Sequence, residues 1–214
     1  MPLVTYPTQY RQAASVLQHV LASGMSPADL VISGDSCGGQ LAFQVLSHIL
    51  HPHPALPVLP MPAIPFGGIL AISPWVVFES NAQSFVHNTK DVLSAIPLLT
   101  WGRMIRQGNV LADGKGEPHG YWSEPFKAPP EWWRDTAKVT RNVMVTYGQF
   151  EAFRDDDTAF VKKLRLGAGT EVDVASLEES RGIHIGPVID ASLRRAPSEL
   201  TKAISGWVYD RVVG

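Results

Sequence analysis

The sequence predicts an α/β domain built on a mostly parallel sheet, and two observations carry that expectation. Short apolar runs of strand character alternate with segments of helical periodicity, and each run ends at a polar or glycine-rich turn. Strands separated by helices cross over right-handedly into a parallel sheet. The 214 residues suffice for one domain with a sizeable core.

The elements follow in order. Met1–Tyr6 is short and β-prone. Thr8 is placed to cap a helix over Gln9–Ala22, whose Ala13, Val16, Leu17, Val20 and Leu21 recur at helical spacing, and Gly24 suits its stop. Leu30-Val31-Ile32 is a continuous apolar run, the pattern of a strand buried on both faces. A helix then starts near Cys37 or Gly38 and carries Leu41, Ala42, Val45, Leu46 and Ile49. Six prolines make His51–Pro65 a stiff loop. Gly68–Ile72, Val143–Tyr147 and Glu171–Leu177 read as further strands. Helices are expected over Asp91–Arg106, Asp156–Leu166 and Pro197–Val213, the last with Leu200, Ala203, Ile204, Trp207 and Val208 on one face.

The segment Trp75–Trp133 differs from the rest. It holds five of the six tryptophans and is broken by glycine and proline around Gln107–Gly116 and Pro125–Pro130. Residues 1–214 therefore read as a single domain with a tryptophan-rich insertion at about 75–133. Its aromatics serve either as ordinary helix packing or as a wall over an apolar pocket, with Trp75, Trp101 and Trp122 as candidates.

Composition narrows the function classes. Net charge is −2, and lysine and arginine are scattered with no basic stripe, so nucleic acid is not an expected partner. No apolar stretch approaches the roughly 20 residues of a membrane span. The N-terminus lacks the pattern of a signal peptide. Cys37 is alone, so no internal disulfide is possible. The expectation is a soluble, cytoplasmic protein.

Gly34-x-Ser36-x-Gly38 lies between a strand and a helix, the setting of a nucleophile elbow. Such a turn exposes the serine hydroxyl at a helix N-terminus, where free N–H groups and the dipole favour negative charge. A serine needs a base and an orienter, in the chain order serine, acid, histidine. Of seven histidines, only His184 follows the third strand. Glu151, Asp155, Asp156 and Asp157 are all near that strand's end. Glu151 comes first, and the aspartates suit the start of the next helix. The expected catalytic set is Ser36, Glu151 and His184, with the N–H of Cys37 as oxyanion donor. Cys37 as nucleophile is the alternative. His51-Pro52-His53 has no accompanying ligand cluster, so no metal or other cofactor is expected.

These motifs resemble the hormone-sensitive-lipase-like branch of the α/β-hydrolases. Gly34-Asp35-Ser36-Cys37-Gly38-Gly39-Gln40-Leu41-Ala42 is similar to its Gly-Asp-Ser-Ala-Gly-Gly-Asn-Leu-Ala signature. Glu151-Ala152-Phe153-Arg154-Asp155 is similar to its Asp-Pro-Leu-Arg-Asp motif, which puts the acid on Glu151. Tyr6-Pro7-Thr8-Gln9, Ser73-Pro74-Trp75 and Ala128-Pro129-Pro130-Glu131-Trp132-Trp133 look like a fungal subgroup. The resemblance implies an α/β-hydrolase fold and a His-Gly-Gly-Gly-type oxyanion loop before the nucleophile. The 35 residues before Ser36 contain only Gly24 and Gly34. The expectation is thus a fold lacking its first strands, with the elbow strand at an open edge.

The reading is a serine carboxylesterase acting on a small ester with an apolar acyl or alcohol part. A non-catalytic α/β-hydrolase-like binding protein and a biosynthetic acyl transferase are the alternatives.

Overall fold

The computed structural model describes residues 6–107 and 120–213. The β-prone stretch before Tyr6 and nearly all of Gln107–Gly116 lie outside the described residues. Strands β1 (Val31–Asp35), β2 (Gly68–Ile72), β3 (Asn142–Gly148) and β4 (Asp173–Glu179) form one parallel sheet in the order β1-β2-β3-β4. The helices are α1 (Thr8–Ala22), α2 (Cys37–Leu50), α3 (Gln83–Val86), α4 (Ala95–Gln107), α5 (Thr136–Val139), α6 (Arg154–Ala168), α7 (Gly186–Ser192) and α8 (Glu199–Val212).

Alternation along the strands divides the core between two faces. Val143, Val145 and Tyr147 of β3 join Tyr10 of α1, Phe43 of α2 and Phe160 and Leu164 of α6. Phe43 and Phe160 meet edge to face at 4.7 Å. Leu70 and Met144 point the other way, onto Trp207, Ile204 and Val208 of α8. The apolar stripe read on α8 is therefore the face it buries, although Ala203 is exposed.

Several expectations are corrected. β1 is not buried on both faces: it is half-exposed throughout and Ser33 is open to solvent. The reason is its place at the sheet edge, with β2 its sole partner among the described residues. Thr8 is the first residue inside α1, not its cap, and among the described residues no side chain caps that end. β4 lies two residues later than the alternation suggested, because its register is set by β3, from Asn142 opposite Asp173 to Gly148 opposite Glu179. α8 begins at Glu199 with Ser198 accepting the Thr201 N–H. α4 begins at Ala95, since Asn88–Asp91 is taken up by a turn in which Asn88 Oδ1 accepts the N–H groups of Lys90 and Asp91. α7 was not foreseen; Pro187 in its first turn was the available signal.

Glu124 anchors the long connection between β2 and β3. Its buried carboxylate takes a two-pronged bond from Arg106 of α4, a bond from Lys127, and the N–H of Phe78.

Candidate active site

All four strands end on one side, where the loops of a parallel α/β sheet gather ligands and catalytic groups. Ser36 follows β1 and precedes α2, with φ 53° and ψ −118°. A serine with positive φ is strained, and such strain collects at functional sites. Ser36 N–H donates to Ile72 O at 2.9 Å, and Trp75 N–H donates to Ser36 O at 3.1 Å, so the turn after β2 holds the elbow from outside. Gly34 is obligatory: a Cβ there would stand 2.3 Å from the Gly38 carbonyl carbon. A Cβ on Gly38 would meet nothing within 4 Å. The two glycines of the motif thus serve differently: one permits the contact, the other supplies the bare backbone.

The acid lies after β3. Glu151 is fully buried. Its Oε1 accepts His184 Nδ1–H at 2.8 Å, and its Oε2 accepts Ser73 Oγ–H at 2.9 Å and Gly148 N–H at 2.8 Å. A carboxylate with three such donors is satisfied as an anion and fixes the tautomer of the imidazole. Of the four candidate carboxylates, Glu151 is the one bonded to the His184 ring. Asp155, Asp156 and Asp157 lie in the first turn of α6.

His184 follows β4, and β4 is about 14 Å from β1 at the usual strand spacing. Its loop closes that gap by doubling back. Phe150 N–H donates to Gly182 O at 2.8 Å, and Ile185 N–H donates to Ser73 Oγ at 3.0 Å. The histidine loop thereby crosses β3 and reaches the end of β2, beside the elbow. Ser73 (φ 51°) and Ile185 (φ 49°) share the left-handed strain of Ser36. The Ser36 hydroxyl makes no hydrogen bond to the imidazole among the described residues; free enzymes often show this contact open.

Cys37 begins α2, whose first N–H groups lack partners within the helix. The residue is exposed at the surface, yet the protein packed around its sulfur pushes the thiol pKa up; a hydrogen bond with the Ser36 side chain offsets this in part. A raised pKa keeps the thiol protonated, which disfavours it as nucleophile.

The three candidate tryptophans lie in different settings. Trp75 is buried with Phe78, Phe85 and Phe153, and Phe153 in turn meets the His184 ring at 5.1 Å. Trp101 is 49% exposed on α4. Trp122 packs on His53 and Trp132, and its indole N–H donates to His51 O, beyond the far end of α2. A cavity of about 220 Å³ opens between His87, Lys90, Phe150, Glu151 and Arg154; Ser36 is not among its lining residues. His51 and His53 are used in packing, His51 stacked on Trp132 at 3.7 Å. No cluster of three or more potential metal ligands occurs among the described residues. Among them too, no helix is long and apolar enough to cross a membrane.

Sequence reasoning missed Ser73, Asn88 and Asp91. Ser73 was noted only within a family-like triplet, and nothing in the spacing linked Asn88 or Asp91 to loops 60 or more residues away.

An elbow serine on a parallel sheet, with a buried acid–histidine pair on later strand ends, defines an elbow-type α/β protein. The family model of the alpha/beta hydrolase fold matches residues 2–184, and the chain belongs to that family. It is 36% identical over 98 residues to an esterase of Acinetobacter venetianus, a match spanning 45% of this chain and 29% of that protein. Among solved structures it is similar to an esterase of the bacterial hormone-sensitive lipase family (TM-score 0.74, 19% identity, 99% of this chain and 63% of the other). It is also similar to carboxyl esterase 2 of the mycorrhizal fungus Tuber melanosporum (TM-score 0.69, 19% identity, 100% and 65%). The chain thus spans under two thirds of the length of these relatives.

Proposed function

We propose that the protein is a serine hydrolase of carboxylic esters, of the hormone-sensitive-lipase-like branch, working through an acyl-serine intermediate. One observation carries the reading: the buried Glu151 carboxylate holds His184 Nδ1 at 2.8 Å, which leaves Nε2 as the nitrogen able to act as base. His184 Nε2 takes the Ser36 proton as Oγ bonds to the ester carbonyl carbon. The carbonyl electrons move to oxygen, and the Cys37 N–H donates to that oxyanion. Collapse of the intermediate breaks the bond to the leaving alkoxide, which receives the proton from His184. Water repeats the sequence, and Ser36 recovers its proton. Glu151 holds the tautomer and stabilises the imidazolium without itself being protonated.

The test is covalent labelling with a fluorophosphonate, read by intact mass and peptide mapping. Labelling at Ser36 is expected, with none in Ser36→Ala and a large loss in His184→Ala. A folded chain that stays unlabelled overturns the reading, in favour of a non-catalytic binding protein.

A further inference from the structure

Three loops must keep a fixed relation for the acid and base to meet, and one of them contributes no member of the pair. The turn at Asn88–Asp91, between β2 and β3, touches both of the others. Asn88 Nδ2 donates to Phe150 O at 2.7 Å. Asp91 Oδ2 accepts Ala152 N–H at 2.9 Å. The backbone on each side of Glu151 is therefore held by this turn. Asp91 Oδ1 also accepts His184 N–H at 2.8 Å, together with its own neighbour's Val92 N–H at 2.8 Å. One carboxylate thus bonds the chain beside the acid and the chain of the histidine.

We propose that Asp91 is a positioning residue: its carboxylate ties the acid loop to the histidine loop and sets the separation of Glu151 from His184. The loops belong to different strands and are joined otherwise by Phe150 N–H on Gly182 O, by Gln149, whose N–H donates to Glu179 O and whose Oε1 accepts the Arg181 N–H, and by Ser73. Bonds to a charged acceptor are roughly twice as strong as neutral ones. Asp91 adds one such bond to each loop. A displacement of about 1 Å at a catalytic group costs on the order of 10²-fold in rate. Its catalytic consequence rests on the hydrolase reading; its effect on the Glu151–His184 pair does not.

The experiment compares the full chain with Asp91→Asn and Asp91→Ala. Three quantities are read: thermal unfolding, the low-field proton NMR resonance of His184 Nδ1–H, and the rate of fluorophosphonate labelling at Ser36. Both variants are expected to fold. The resonance should weaken in Asp91→Asn, which keeps one acceptor, and vanish in Asp91→Ala. Labelling should fall in the same order, by roughly 10- to 100-fold in Asp91→Ala. A wild-type resonance that Asp91→Ala abolishes, in a chain never labelled, would sink the hydrolase reading and leave the tie standing. An intact resonance in a folded Asp91→Ala overturns the proposal. So does its absence from the wild type, or failure of both variants to fold, which would make Asp91 a plain structural residue.

Discussion

Gly148 and Gly182 meet backbone to backbone: a Cβ on Gly148 would fall 2.4 Å from the carbonyl carbon of Gly182. Gly148 ends β3 and donates its N–H to Glu151, while Gly182 opens the histidine loop. Gly148→Ala must therefore push the two loops apart. The expected outcome is a loss of about 1–3 kcal/mol of stability, as for other overpacked sites, with labelling at Ser36 falling by roughly 100-fold. Calorimetry and labelling kinetics check it. Wild-type labelling in the variant would mean that the loops tolerate separation.

The elbow glycines allow a paired comparison. A Cβ at position 34 would sit 2.3 Å from Gly38 carbon, whereas one at position 38 would meet nothing within 4 Å. Gly34→Ala should unseat the strand–helix junction and abolish labelling. Gly38→Ala places a better helix former in the first turn of α2, and melting should report a change between zero and a gain of about 1 kcal/mol. Equal damage from both would show that the packing at the junction is not what makes Gly34 necessary.

How much of this was legible in the sequence depends on range. Gly68–Ile72 and the helix after Ser36 announced themselves through local runs and the motif; chain order pointed to His184, and first place after the strand together with the resemblance pointed to Glu151, the residue the fold bonds to it. The open edge at β1 was expected from the resemblance, but the triplet Leu30-Val31-Ile32 by itself suggested burial on both faces, because a local apolar run does not reveal where in a sheet a strand lies. β4 was displaced because pairing with β3, not local alternation, sets its register. Asn88 and Asp91 were invisible because their partners, Phe150, Ala152 and His184, lie 61 to 93 residues away. Composition located the tryptophans but not the directions they face.

Asp157, on the first turn of α6, is fully buried, with neither carboxylate oxygen hydrogen-bonded among the described residues. Burial, and then the charges of Glu151 and Asp156, push its pKa well above the usual carboxylate range; burial likewise raises Asp156 to about 6. The folded state thus holds protons that the unfolded chain releases above about pH 4. These two acids therefore lower stability as pH rises from about 4 through their raised values. Asp157→Asn replaces the group by a neutral one of the same shape. Denaturant unfolding should show the variant more stable than wild type near neutrality, with the gain vanishing toward pH 4. A difference that does not vary with pH would show that Asp157 is ionised in the folded protein.

His53 acts with the opposite sign. It packs against Tyr6, Tyr10 and Trp122, its Nδ1 accepts the Ala55 N–H, and its own N–H donates to His48 Nδ1. His48 in turn donates to Pro57 O at 2.7 Å, so the two rings fasten the proline-rich loop to α1 and α2. Burial, and then the neighbouring His48, lower the His53 pKa to about 4. An unfolded histidine takes its proton near pH 6.5. Its neutral burial therefore contributes stability that is complete above about pH 6.5 and is lost as pH falls toward 4. The buried carboxyls change stability the other way across the same window, so the wild-type profile alone conceals both. Titration of the His53 ring by NMR separates them: a midpoint near 4 is expected, and His53→Gln should flatten the acid side of the stability curve. A midpoint near 6.5 would mean that the ring opens to water before it protonates, and the loop would then contribute little to acid sensitivity.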